Sequence, residues 1–164
     1  MKQSQTDRRK LLRSSLAAAA IVAPGALARP ASAQSPKTRK VIYRKGEKAS
    51  PETILSAAIQ YGDLLFVSGA GAHDPATHKV VEGPFQNQVK QCLENIKTVL
   101  EAAGSSLNHV LKCLVFLTDI SKFGEMNAIY HQYFPTEPPA RSTVAVKDLP
   151  GDSPVEIECI AYVP

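Results

Sequence analysis

The chain has 164 residues and a formal net charge of +4, from 19 Lys and Arg against 15 Asp and Glu. Residues 1–33 hold six of those bases and one acid, so residues 34–164 hold 13 bases and 14 acids and carry a net charge of −1. That balance excludes the polycationic surface a phosphate backbone demands, and with it nucleic acid as the main partner.

Residues 1–33 read as an export signal. Asp7-Arg8-Arg9-Lys10-Leu11-Leu12-Arg13 carries paired arginines, an Ala-rich apolar run spans Leu16 to about Ala28, and Ala31-Ser32-Ala33 has the small residues a signal peptidase reads. Pro24 interrupts the run, which is too short for a membrane span of about 20 apolar residues. The arginine pair points to the twin-arginine route, with cleavage after Ala33 and no stable membrane association afterwards. A retained amphipathic anchor or a disordered tail stays open. Residues 34–164 form one domain, long enough for one core.

Along that domain, Lys40 to Arg44 and Ile54 to Gln60 are strand candidates, and Tyr61-Gly62-Asp63 is a turn into an apolar strand, Leu64 to Ser68. Gly69 to Gly83 reads as loop. Phe85, Val89, Cys92, Leu93, Ile96, Val99, Leu100 and Ala103 then follow helical spacing, and Gly104 ends that helix. Val110 to Leu117 suits a strand covered on both faces. Asp119-Ile120-Ser121 opens a second helix that the prolines at 135, 138 and 139 end. Arg141 to Lys147 and Val155 to Val163 are the last strands. The order β-β-β-α-β-α-β-β predicts an α+β fold, one sheet with two helices on one face. In the final strand Val155, Ile157, Cys159, Ala161 and Val163 should face the helices. Glu156, Glu158, Ile160 and Tyr162 mix charge with apolar bulk, which predicts contact with another copy of the chain.

Cys92, Cys113 and Cys159 sit in apolar, periodic stretches and read as buried packing thiols. A twin-arginine substrate folds before export, so the address alone does not require disulfides; a Cys113–Cys159 bridge stays open. No His/Cys spacing marks a metal site, and His73 and His78 read as solvated loop histidines. Arg141 opens a strand on which Ser142, Val144 and Val146 share one face, Arg141, Thr143 and Ala145 the other. Placing the valines under the helices puts Arg141 on the opposite face with Glu156 and Glu158. Two readings follow: an anion site built on the guanidinium fork, or a structural Arg–Glu ion pair.

Pro139-Ala140-Arg141-Ser142 followed by Val155-Glu156-Ile157-Glu158-Cys159-Ile160-Ala161 resembles the closing signature of the RidA/YjgF family. Phe66-Val67-Ser68-Gly69, Asn95-Ile96-Lys97, Glu101-Ala102-Ala103-Gly104-Ser105, Val115-Phe116-Leu117-Thr118-Asp119 and Asn127-Ala128-Ile129-Tyr130 are similar in the same order, so the resemblance runs from about Val41 to the end. It implies a chorismate-mutase-like fold and a homotrimer around a central barrel, with a cleft between neighbours. It implies hydrolysis of enamines and imines of the 2-aminoacrylate, 2-iminopropanoate and 2-iminobutanoate type to 2-keto acids and ammonia, without cofactor or metal.

By the same resemblance Arg141 binds the substrate carboxylate, Glu156 handles the attacking water, and Ser68 and Gly69 lie near the substrate. Asn127 matches a recurrent helix asparagine, read as structural. Two positions depart from the family pattern. Thr143 stands where the deaminases carry a cysteine, and Leu55 where they carry a cleft-lining tyrosine, which puts substrate range in question. The alternatives are a non-enzymatic binding or holdase role, a nuclease role that the charge opposes, and a deaminase or amidohydrolase for another periplasmic substrate.

Overall fold

The computed structural model describes residues 37–44 and 47–164; the export segment read at residues 1–33 lies outside them. The elements in chain order are β1 (Arg39–Ile42), β2 (Ala58–Tyr61), β3 (Leu64–Gly71), α1 (Phe85–Ala102), β4 (Val110–Leu117), α2 (Phe123–Tyr133), β5 (Ala140–Ala145) and β6 (Val155–Tyr162). They form the expected α+β arrangement, one mixed six-stranded sheet ordered β1-β2-β3-β6-β4-β5. β5 runs parallel to β4 and every other pairing is antiparallel. A parallel return needs a crossover, and α2 supplies it.

The apolar stripe of α1 buries Val89, Cys92, Leu93, Ile96, Val99 and Leu100. Beneath it lie Leu65, Val67 and Ala70 of β3, Ile157, Cys159 and Ala161 of β6, and Cys113, Val115 and Leu117 of β4. All of these project from one sheet face, so the core is a single layer between sheet and helices. The strict alternation of β6, buried at Val155, Ile157, Cys159 and Ala161, is the period of two that its sequence predicts. The other sheet face is open. It carries Tyr61, Leu64, Phe66, Val144 and Tyr162, all well exposed.

Three expectations need correction. Ile54 and Leu55 do not enter a strand. The β2–β3 ladder stops at Ala58↔Val67, because β3 bulges between Val67 and Ala70. Residues 54–57 then have no ladder to join; Ile54 is 96% exposed and Leu55 56%. For the same reason β3 outlasts its predicted end at Ser68: the bulge resets the alternation and the strand continues to Gly71. Third, Asp119-Ile120-Ser121 belongs to a 3-10 turn, Ile120–Lys122, that precedes α2 rather than opening it. Asp119 still caps that turn, accepting from Ser121 N–H at 2.9 Å.

Candidate functional site

Arg141 lies on the helix side of β5, not on the open face. Register fixes this: Arg141 pairs with Cys113 and Thr143 with Val115, and both β4 residues are buried under the helices. Val144, expected in the core, pairs with Phe116 on the open face and is 42% exposed. The physical reason is that both faces of this sheet are partly apolar, so valine does not identify the covered one. α2 accommodates the guanidinium directly. Its carbon centre stands 4.4 Å from the Tyr130 ring centroid and 5.7 Å from that of Phe123, a cation–π setting. Arg141 Nη2 donates to Asn127 Oδ1 at 2.6 Å and Nη1 reaches Met126 Sδ at 3.8 Å. Phe123, Asn127 and Tyr130 are spaced i, i+4, i+7, so a single helix face holds the cation.

Arg141 borders a cleft of about 380 Å³ lined by Asn127, Tyr130, His131, Phe134, Pro138 and Pro139. Among the described residues no carboxylate pairs with Arg141, which removes the structural Arg–Glu reading within one chain. Beside it the Tyr130 hydroxyl and Thr143 Oγ1 are buried with no hydrogen-bond partner among the described residues. The cleft therefore presents a cation oriented by Tyr130 and Asn127.

Glu156 occupies the open face, beside the bulge. Ser68 donates its N–H to Ala57 O at 3.1 Å and its hydroxyl to Ser56 O at 2.7 Å, which ties the segment carrying Leu55 to the bulge. Gly69 is where the Glu156 carboxylate passes closest to backbone: a methyl group there would overlap Glu156 Oε1. Burial first, then the neighbouring Glu158 carboxylate, raises the Glu156 pKa above its ordinary value, while His73 pulls it down. Gly69→Ala should displace this carboxylate; a shifted Glu156 side-chain carboxyl resonance in NMR of the folded variant checks it.

The structure thus gathers the expected residues into two groups. Arg141, Thr143 and Asn127 lie together under α2; Ser68, Gly69 and Glu156 lie together on the open face with Leu55 nearby. β5 and β6 are two strand spacings apart, and Arg141 is level with Cys159 through Cys113, three residues from Glu156. At standard strand spacing and rise the two Cα atoms are roughly 14 Å apart, with their side chains on opposite faces. One chain alone does not bring them to a common ligand. Tyr130 and Phe123, which hold the guanidinium, were not among the expected site residues, although their helical spacing around Asn127 was visible. His73, read as a solvated loop histidine, is instead partly buried and hydrogen-bonded.

Among the described residues no three His, Cys, Asp or Glu side chains converge as a metal site requires, and no helix is long and apolar enough to cross a membrane. All three cysteines are free and buried; the bridge left open between Cys113 and Cys159 is not formed.

Comparison with known proteins adds the following. The family described as Endoribonuclease L-PSP matches residues 46–163. A RutC family protein of Pyrococcus horikoshii is 49% identical over 107 residues, 65% of this chain and 85% of that protein. Among solved structures, RidA from an Antarctic Psychrobacter is 38% identical with a TM-score of 0.69, covering 76% of this chain and 99% of its own. The YjgF gene product of E. coli is 32% identical with a TM-score of 0.68 and the same coverage.

Proposed function

The chain belongs to the Endoribonuclease L-PSP family, that of RidA and YjgF, and from this premise we propose that it hydrolyses small enamines and imines bearing a carboxylate, such as 2-iminopropanoate and 2-iminobutanoate. The observation that carries the reading is the Arg141 guanidinium, clamped by Tyr130 and Asn127 at a cleft and free of any carboxylate among the described residues. A planar fork held in place suits a planar carboxylate.

The reaction needs three operations. Arg141 fixes the substrate carboxylate, which turns binding into orientation of C2. An enamine takes a proton from water at C3 and gives one up from nitrogen, becoming the imine. Glu156 accepts a proton from water as its oxygen bonds to C2 and the C=N pair moves to nitrogen. Glu156 then returns that proton to the nitrogen, giving a carbinolamine; it takes the second proton from the new hydroxyl and passes it to the amine as the C–O bond becomes C=O and the C–N bond breaks, and 2-keto acid and ammonia leave. Because Arg141 and Glu156 lie apart in one chain, the proposal includes a homotrimer whose clefts pair Arg141 of one copy with Glu156 of the next. The apolar open face supports this, since Leu64, Phe66, Val144 and Tyr162 form the kind of exposed surface that association covers. Thr143 and Leu55 then set the substrate range: a hydroxyl in place of a thiol, and an aliphatic chain in place of a phenol.

The family's description names a ribonuclease, but residues 34–164 balance 13 bases against 14 acids, a poor match to a polyanion. The test is depletion of 2-iminobutanoate generated in place by an amino-acid oxidase, with semicarbazide trapping what remains. Wild-type chain from Gln34 onward should lower the semicarbazone yield in proportion to its concentration. An unchanged yield would remove the imine substrate.

A further inference from the structure

His73 stands between two backbones that leave it little freedom. Its Nε2 donates to Gly151 O at 2.9 Å, which places a proton on Nε2. A Cβ at Gly71 would come within 2.8 Å of Nδ1, and one at Gly151 within 2.5 Å of Nε2. The imidazole therefore fills space that only glycines leave. The segment carrying it is pinned from below: Asn95 Nδ2 donates to Gly71 O at 3.0 Å and to His73 O at 2.9 Å, and Gln91 Nε2 holds Asn95 Oδ1 at 2.9 Å. From the side, Ala72 N–H donates to Ser153 Oγ at 2.9 Å, tying this segment to the turn that leads into β6.

Gly71 is the register partner of Glu156. The imidazole lies over Gly71 while the Glu156 carboxylate lies over Gly69, two residues away on β3. Same-face positions two apart on a strand are roughly 6.6 Å apart, and among the described residues no ion pair joins the two groups, so His73 acts on Glu156 through its field. Among the described residues, few charged groups act on Glu156. Glu158 follows it on β6, and Lys112 lies farther along β4, donating to Ser142 Oγ. β4 presents Phe116 opposite it, β3 presents glycine, and α1 contributes the buried Cys92 thiol from the far side of the sheet. His73 is the cation source placed to oppose Glu158.

We infer that His73 is a positioning residue for Glu156: its imidazole, clamped over Gly71, stands beside the carboxylate that lies over Gly69 and opposes the charge of Glu158. The inference rests on Glu156 as the water-handling group of the proposed reaction. At the acid pH where a carboxyl titrates, a histidine ring is cationic. A unit charge roughly 6.6 Å away at a partly exposed site shifts a carboxyl by about half a pH unit.

The experiment compares wild type with His73→Gln and with His73→Phe, which keeps a flat ring without the charge. Two readouts are taken: the acid limb of the kcat/KM profile, and the titration of the Glu156 side-chain carboxyl by NMR, assigned by its loss in Glu156→Gln. Both variants should move the carboxyl midpoint and the acid limb up by about half a unit, with KM at high pH unchanged. A folded pair of variants with an unmoved midpoint would overturn the inference and leave His73 as a tie for its loop. If wild type turns over no imine, the functional reading falls, and the carboxyl titration still decides the role of His73.

Discussion

Arg141→Ala is expected to reduce kcat/KM for 2-iminobutanoate by 10²-fold or more while leaving the chain folded. Two hydrogen bonds from a guanidinium to a carboxylate, each worth about 1.5–3 kcal/mol when charge-assisted, correspond to roughly 10²–10⁴ in rate over free enzyme and substrate. The fold should survive because Arg141 is only partly buried on an edge strand. The variant loses one hydrogen bond to Asn127 and the stacking on Tyr130, about 1–2 kcal/mol together. Arg141→Lys should recover little, since an ammonium neither forks to a carboxylate nor stacks as a plane. The imine-depletion assay with circular dichroism on the same samples decides it. A folded Arg141→Ala enzyme with wild-type kcat/KM would remove the arginine from the site.

Glu156→Gln should lower kcat by about 10²–10⁴, the usual contribution of a positioned acid–base group, with a small change in substrate binding. The pH dependence has a definite sign. In the proposed reaction the working form is the carboxylate, and burial with Glu158 raises its pKa, so wild-type activity should fall as pH drops through that raised value. Stability moves the other way. A carboxyl whose folded pKa exceeds its unfolded one binds its proton more tightly in the folded state. Its contribution is present at low pH and is lost as pH rises through the folded value. Glutamine mimics the protonated form, so Glu156→Gln should melt no lower than wild type at neutral pH. Rate profiles and thermal melts across pH test both halves; a melting point well below wild type would show that Glu156 is held for structure.

Local pattern was enough for the elements that repeat a single period. The stripe from Val89 to Leu100 and the alternation from Val155 to Ala161 needed no tertiary information, because each names one buried face by spacing alone. The motif around Arg141 and Glu156 was equally visible as residue types. β5 was not legible. Its covered face holds Arg141 and Thr143 and its open face holds Val144, the reverse of what valine suggests. A hydropathy reading assumes that one face is polar; here the open face is itself apolar, and α2 supplies aromatic rings that make a partly buried cation tolerable.

The amino-acid sequence by itself determined the order of eight elements, the core stripe of α1, the alternation of β6 and the family to which the chain belongs, because these depend on spacing and on local residue identity. Only the tertiary structure decided the bulge at Ser68 and Gly69, the side of the sheet on which Arg141 lies, its separation from Glu156, and the clamp on His73. Each of these depends on register between strands distant in sequence. A one-residue slip exchanges the two faces of a strand, and nothing within a single strand records which register its neighbours impose.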